Sequence, residues 1–421
     1  MTRPATAQEI ESPYAWMRLA VSLALMTIGG SGMYSVTVVL PRIQADFAVD
    51  RGAASLPYTL TMVGFGIGGI LMGKLADRFG VVVPVLLGSL GLGAGFIVAG
   101  SATSLWQFSI AQGVLIGLMG TSATFAPLVA DTSQWFGRRR GIAVAVCMSG
   151  NYVAGAVWPP VMQHFIDSVG WRATYAGIGV FCVLSMLPLA LVLRRRPPPQ
   201  AQPGPAGGHA SIVSGGQPLV LGMSAGAVQT LLCIAGVSCC VAMAMPQVHI
   251  VAYCGDLGFG AARGAQMLSV MLAMGVASRL VSGWISDRIG GLRTLLLGSL
   301  LQGVALLLFL PFDGLVSLYA VSALFGLFQG GIVPSYALIV REYFPPQEAG
   351  ARVGTVLMAT LFGMALGGWM SGAVFDLTGS YRAAFLNGIG WNLLNVSIVL
   401  FLLYRARLLG GGSTLRSVGS T

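Results

Sequence analysis

The sequence predicts an all-α membrane protein of twelve spanning helices, arranged as two pseudo-symmetric six-helix bundles. Three observations carry this reading. First, 55% of the 421 residues are apolar and only 9% are charged, where a soluble domain carries about 25% charge; the mean hydropathy is +0.81. Second, the apolar runs are continuous, which fits helices and not the alternating strands of a membrane barrel. Third, short charged and aromatic clusters recur in the two halves of the chain at nearly one offset, the mark of a duplicated unit. The hydrophobicity excludes a disordered chain. Six cysteines in so long a chain exclude a disulfide scaffold. Cys147, Cys182, Cys233, Cys239, Cys240 and Cys254 show no metal-ligand spacing and read as small apolar packing residues.

Each crossing needs roughly 20 mostly apolar residues. Twelve stretches meet that need: 15–40, 54–73, 81–100, 105–130, 141–166, 172–193, 226–253, 262–284, 293–311, 316–339, 353–374 and 383–404. Met1 to Ala15 lacks the basic start and apolar core of a cleaved signal, so the first helix is expected to be retained. Gly29, Gly30 and Gly32 soften that helix, and Pro159-Pro160 is expected to break the fifth. Gly64, Gly66, Gly68 and Gly69 in the second span, and Gly363, Gly367 and Gly368 in the eleventh, read as close-packing positions. The longest polar interruption opens with Arg194-Arg195-Arg196-Pro197-Pro198-Pro199 and continues in Gly, Ala, Gln and Ser. Such a stretch cannot bury a core and reads as a linker. The expected organisation is a first bundle over 1–193, a linker over 194–225, a second bundle over 226–404 and a tail over 405–421.

Charge sets the orientation. The chain has 22 arginines and one lysine. If the spans alternate sides, 17 of these lie on the side of the termini and five on the other: Arg42, Arg51, Arg172, Arg263 and Arg382. That bias places both termini and the linker in the cytoplasm. A net charge of +10 therefore reflects topology, and nucleic-acid binding is excluded. The scarcity of lysine and the basic tail point to a bacterial inner membrane.

The halves echo one another. Gly73-Lys74-Leu75-Ala76-Asp77-Arg78-Phe79-Gly80 follows span two, and Gly283-Trp284-Ile285-Ser286-Asp287-Arg288-Ile289-Gly290 follows span eight, 210 residues on. Asp167 to Tyr175 (DSVGWRATY) is answered by Asp376 to Phe385 (DLTGSYRAAF), and Trp135-Phe136 by Tyr343-Phe344. Two parallel six-helix repeats around a midplane site are a transporter architecture.

These residues resemble the major facilitator superfamily over nearly the whole chain. The G-x-x-x-D-R-x-G loop is its commonest signature and occurs here in both halves. The resemblance implies a gating role for Gly73, Asp77, Arg78, Gly80, Asp287 and Arg288. By similarity, Asp77 should approach Arg352 at the start of span eleven, and Asp287 should approach Arg138, Arg139 and Arg140. Trp135-Phe136-Gly137-Arg138-Arg139-Arg140-Gly141-Ile142-Ala143, running on to Gly150, is similar to a signature of the monocarboxylate porter family. Val146 stands at the first expected glycine, and the acidic-Gly-Gly-Trp-Gly-Trp run before span one is absent. Bacterial relatives, including oxalate/formate-type exchangers, depart there too.

Arg279 is the sharpest single feature. It lies in Met274-Gly275-Val276-Ala277-Ser278-Arg279-Leu280-Val281, within an apolar helix. An arginine at the bilayer centre costs roughly 2.5–3.5 kcal/mol on insertion scales. Facing a water-filled cavity, its planar fork matches a carboxylate with two parallel hydrogen bonds. The competing reading is a structural pair with Asp256 or with carbonyl groups. The resembled family carries a substrate-binding arginine on the corresponding helix. Its oxalate exchanger adds a lysine in span eleven, whereas no Lys or Arg interrupts Val353 to Phe375 here. One fixed positive charge suits a monoanion.

Asn151, mid-membrane in span five, could hydrogen-bond a carboxylate or hydroxyl, or serve as interhelical glue. Tyr34, Tyr336, Gln112, Asn392 and Asn395 are further polar candidates, and Ile28 and Phe362 could wall a short carbon chain. His249 and Asp256 are candidate proton carriers near the end of span seven. They stand seven residues apart, about two helical turns, so both could face one side, and Asp256 could lie beside Arg279. Pro246 could kink the same helix. The resembled animal branch has an aspartate that would fall at Gly275 and a first-helix lysine near Tyr34, so its coupling scheme cannot be copied.

The expected function is secondary transport of a small monocarboxylate such as lactate or pyruvate, with a proton as the second partner and the protein acting as a monomer. An organic-anion exchanger without protons is the near alternative, and a drug or sugar porter the distant one. No H-E-x-x-H or comparable cluster supports an enzyme, no ATP-binding motif supports a pump, and no cofactor or metal is expected.

Overall fold

The computed structural model describes residues 10–195 and 219–416. Twelve of its helices are long and apolar enough to cross a membrane. The first half contributes α1 (Pro13–Asp46), α2 (Arg51–Phe79), α3 (Val82–Gly100), α4 (Leu105–Trp135), α5 (Arg140–Val169) and α6 (Trp171–Val192). The second contributes α7 (Ala225–Asp256), α8 (Ala261–Ile289), α9 (Gly291–Leu308), α10 (Leu315–Tyr343), α11 (Glu348–Thr378) and α12 (Tyr381–Leu408). Most of the expected linker lies outside the described residues. Its last part is a short antiparallel hairpin, β1 (Leu219–Val220) with β2 (Met223–Ser224), ahead of α7. The expected tail begins as a continuation of α12, whose helical backbone runs to Arg416.

Local chemistry sets the helix ends. Ser12 caps α1, accepting from the Ala15 N–H at 3.3 Å with Pro13 at the first turn. Ser224 caps α7 in the same way. Gly80 and Gly290 close α2 and α8 with φ of +85° and +82°, a conformation that a side chain would strain. The final glycine of each G-x-x-x-D-R-x-G loop thus has a backbone reason.

Breaks fall where glycine and polar residues meet, not at every proline. Helix α1 is interrupted at Gly30, between Pro13–Gly29 and Ser31–Asp46. Helix α4 carries a π-helical stretch over Ala111–Thr121, and α10 is interrupted between Gln329 and Ile332. Pro159-Pro160 does not break α5, and Pro246 does not interrupt α7; both helices are continuous. Helix interiors in a bilayer accept proline when neighbouring helices satisfy the freed groups. Small residues bring helices into close contact as expected, except at Gly69, where a Cβ would meet nothing within 4 Å. A Cβ at Gly64 would strike the Gly113 carbonyl, and Cβ atoms at Gly363 and Gly367 would strike Val237 and Val241.

Among the described residues, the first half holds one fully buried ion pair. Arg18 on α1 donates from Nε and Nη2 to the two Asp131 oxygens on α4, at 3.0 and 2.8 Å. Its guanidinium also lies 4.6 Å from the centre of the Trp135 ring, and the two charged residues are 1% and 6% exposed. Arg18 is therefore a core residue that ties α1 to α4, not only a topology charge. Removing one partner of a buried pair costs about 3–5 kcal/mol, because the other charge is stranded. Asp131→Asn should lower thermal stability in detergent by that order. The double variant Arg18→Met/Asp131→Leu should recover most of the loss.

Candidate functional site

The two halves meet along α2–α11 and α5–α8, and polar links between them cover only part of that length. On one face, α2 begins at Arg51 and is gripped by the second half. The Asp376 carboxylate at the end of α11 accepts from the Arg51 and Gly52 N–H groups at 2.9 and 2.6 Å, the favoured position for an anion at a helix start. The Arg51 guanidinium forms a bidentate pair with Asp256 at the end of α7. It also donates to the Tyr381 hydroxyl at 2.9 Å and to Gln44 at 3.0 Å, and it packs over the Phe375 ring at 4.4 Å. We call this cluster the latch. His249 lies just inside it with 0% exposure. Its Nδ1 stands 3.2 Å from the Tyr381 hydroxyl and its Nε2 2.8 Å from the Gly368 carbonyl.

Mid-membrane, α8 meets α5. The Arg279 Nη1 donates to the Met148 carbonyl at 3.1 Å, and its guanidinium carbon stacks 4.0 Å from the Tyr152 ring centre. Arg279 thus reaches from the second half onto the first. Its Nε is buried without a hydrogen-bond partner. Tyr152 also packs against Gly275, one turn from Arg279 on α8, where a Cβ would overlap the ring. That fit explains why no aspartate can stand at 275. Tyr34 on α1 and Leu272 on α8 pack against Gly155, one turn along α5 from Tyr152. Asn151 is half-buried beside Gly30, with its amide 3.8 Å from the Met33 sulfur. Ile28 is half-buried against the same core. Arg279, Tyr34, Asn151 and Tyr152 therefore surround the junction of α1, α5 and α8.

Several expectations are corrected. Asp256 does not lie beside Arg279. It ends α7 on the latch face, whereas Arg279 lies eighteen residues into α8, roughly 27 Å along the axis at 1.5 Å per residue. Asp256 pairs with Arg51 and Arg279 with a carbonyl. Tyr336 is fully buried and donates to Asn395 at 3.0 Å, and Asn395 donates to Ser299 at 2.7 Å. With its hydroxyl satisfied inside the second half, Tyr336 is a packing residue. Asn392 and Gln112 are likewise used internally, by Ser299 and Tyr175. Phe362 is 58% exposed and forms no part of the buried wall, because the neighbouring Gly363 takes the packed face of α11.

On the face opposite the latch, the expected charge contacts are absent among the described residues. Arg352 pairs with Glu348 one turn away at 2.7 Å and stacks on Phe344. Arg140 donates to Ser133 in its own half, and Arg288 stacks on Trp284. Asp77 and Asp287 do not reach Arg352 or Arg140. The physical reason is separation: Gly73, Gly141, Gly283 and Gly354 have no neighbour within 4 Å of a Cβ position. From Arg279 to the latch, hydrogen bonds cross between the halves; beyond Arg279 none does among the described residues. The molecule is closed at the latch and parted at the opposite face.

The Major Facilitator Superfamily model matches residues 20–319 and 267–414. The chain belongs to that superfamily. It is 28% identical over 343 residues to monocarboxylate transporter 13 of Rattus norvegicus, covering 79% of this chain and 75% of that one. It is 27% identical over 422 residues to monocarboxylate transporter 11 of Homo sapiens, covering 91% and 82%. The fold is also that of a bacterial homologue of the human lysosomal transporter Spinster, with a TM-score of 0.66, 15% identity, and coverage of 96% and 97%. The protein is thus an integral, multi-pass transporter of the superfamily.

Sequence reading missed Arg51 and Tyr152. Arg51 read as one of five charges on the minority side, and an aromatic residue on an apolar helix is ordinarily packing. The Tyr152 contact is testable. Gly275→Ala should displace the ring and destabilise the fold by roughly 1–3 kcal/mol, seen as a lowered melting temperature. Tyr152→Ala in that background should restore part of it.

Proposed function

We propose that this superfamily member carries a small monocarboxylate, of the lactate or pyruvate class, together with a proton, by alternating access. Arg279 holds the carboxylate. The observation that supports this most is the state of its guanidinium. Nη1 is tied to a carbonyl and the guanidinium carbon lies over the Tyr152 ring. Nε, which with Nη2 forms the side-on edge, is buried without a hydrogen-bond partner. That edge is the one a carboxylate grips with two parallel hydrogen bonds. A single fixed cation favours a monoanion, and Tyr34, Asn151 and Ile28 give a polar and apolar surround of modest size. The monocarboxylate transporters among its relatives support the same substrate class.

The charge bias puts the parted face in the cytoplasm, so this conformation is inward-facing. His249 and Asp256 are the proposed proton carriers, both at the latch. In this reading the two six-helix halves, 1–193 and 226–404, are the moving units, the monomer suffices, and Asp77, Arg352, Asp287 and Arg140 brace the cytoplasmic face when it closes. The lack of an acid beside Arg279 favours organic-anion exchange as the second reading, and one experiment separates the two. Purified protein in liposomes should take up labelled L-lactate faster when the outside is made acid. Arg279→Ala should abolish uptake. Arg279→Lys keeps the charge but loses the fork, and should raise KM about tenfold, the equivalent of one such bond. Uptake indifferent to the gradient but driven by internal lactate would instead make the protein an exchanger.

A further inference from the structure

The hydrogen bonds around His249 have a fixed direction. The Gly368 carbonyl can only accept, so the Nε2 facing it at 2.8 Å carries the hydrogen. A neutral imidazole then has a bare Nδ1, which must accept from the Tyr381 hydroxyl at 3.2 Å. The Tyr381 oxygen in turn accepts from Arg51 Nη1 at 2.9 Å. Donors therefore run one way, from Arg51 through Tyr381 to His249 and on to Gly368. The chain links four helices of the two halves, α2, α12, α7 and α11.

A proton arriving on Nδ1 reverses the middle of that chain. Nδ1 becomes a donor, and the Tyr381 hydroxyl hydrogen loses its acceptor. A second cation then stands one hydroxyl away from Arg51. The other charges facing the pair are Asp256 from α7 and Asp376 from α11, with Tyr381 itself from α12. Neither carboxylate is free to turn inward: Asp256 is bidentate on Arg51, and Asp376 is bonded to two backbone N–H groups of α2. We propose that Tyr381 is a positioning residue that makes the closed latch and a protonated His249 mutually exclusive. The inference rests on the proton-coupled reading only for its consequence in transport. An empty carrier that has taken a proton from outside cannot close, so it does not leak protons.

The latch can be read without any substrate. Spin labels on cysteines introduced at the exposed positions Asp50 and Leu377, one on each half, report its opening as a distance. Cys233, the one half-buried native cysteine among five buried ones, is replaced by serine. In nanodiscs, the ratio of closed to open parent protein should fall as pH drops from 8 to 5, by at most tenfold per pH unit, the limit for one linked proton. His249→Gln, which donates and accepts but does not titrate, should stay closed across the range. Tyr381→Phe keeps the Arg51–Asp256 pair and should flatten the response. Three results would overturn the proposal: a parent indifferent to pH, a Tyr381→Phe curve equal to the parent's, or a response that persists in His249→Gln and so belongs to Asp256 or Asp376. Lactate uptake is not used here, so failure of the latch test leaves the Arg279 assignment standing, and the converse holds.

Discussion

A charge inside a bilayer must be given a partner by the protein, because nothing else there will solvate it. Three arginines meet this constraint in three ways, and the layout of the molecule follows from them. Arg18 has a dedicated carboxylate, Asp131, inside its own half. That pair is closed and bidentate, so it serves packing. Arg51 has its carboxylate, Asp256, in the opposite half, so its solvation depends on the halves being together at that face. Arg279 has no carboxylate at all, only a carbonyl and a ring from the opposite half. The first is indifferent to the relative position of the halves, the second reports it, and the third keeps a buried Nε without a partner.

Close approach makes the second and third possible. Gly275 lets Tyr152 lie flat against α8, and Gly372 lets α11 come up to the backbone at Arg51. With a side chain at either place the helices would stand apart, and an arginine of one half could not reach its partner in the other. The small residues of α2, α8 and α11 are therefore electrostatic as well as steric in effect. They set how short the inter-half contacts can be, and so which charges are satisfied in this conformation.

The fold was legible in the sequence because its signals are long and local. Twelve apolar runs, two copies of the Asp-Arg loop and a lopsided arginine count need no knowledge of packing. Arg279 was legible for the same reason, as a charge where none is cheap. The partners were not. Asp256 reads as a group near Arg279 because it ends α7 and Arg279 lies in the next helix, but the direction of α8 carries Arg279 away from the latch and into the middle of the membrane. Tyr336 and Asn395 both look like candidate ligands until their hydrogen bond to each other is seen. Arg51 looks like a surface charge because its burial is supplied by helices more than two hundred residues away. The expected Asp77–Arg352 contact is not formed, because Arg352 pairs with Glu348 on its own helix and the face that carries both residues is parted.

The latch also shows how a duplicated unit becomes directional. The matching segments after α5 and α11 bear corresponding residues, and each half uses them differently. In the first half Asp167 pairs with Arg42 on α1, and Trp171 donates to Asp46 on the same helix, so the motif ties one half to itself. In the second half Asp376 and Tyr381 turn outward and hold Arg51 of the first. A tryptophan N–H can only donate, which suits a fixed bond to a carboxylate. A tyrosine hydroxyl both donates and accepts, so it can pass a hydrogen-bond direction from Arg51 to His249. The exchange of Trp171 for Tyr381 between repeats turns a brace within one half into a contact that reaches both Arg51 of the first half and His249 of the second. Directionality of this kind needs only one such exchange, provided it falls where the two halves meet.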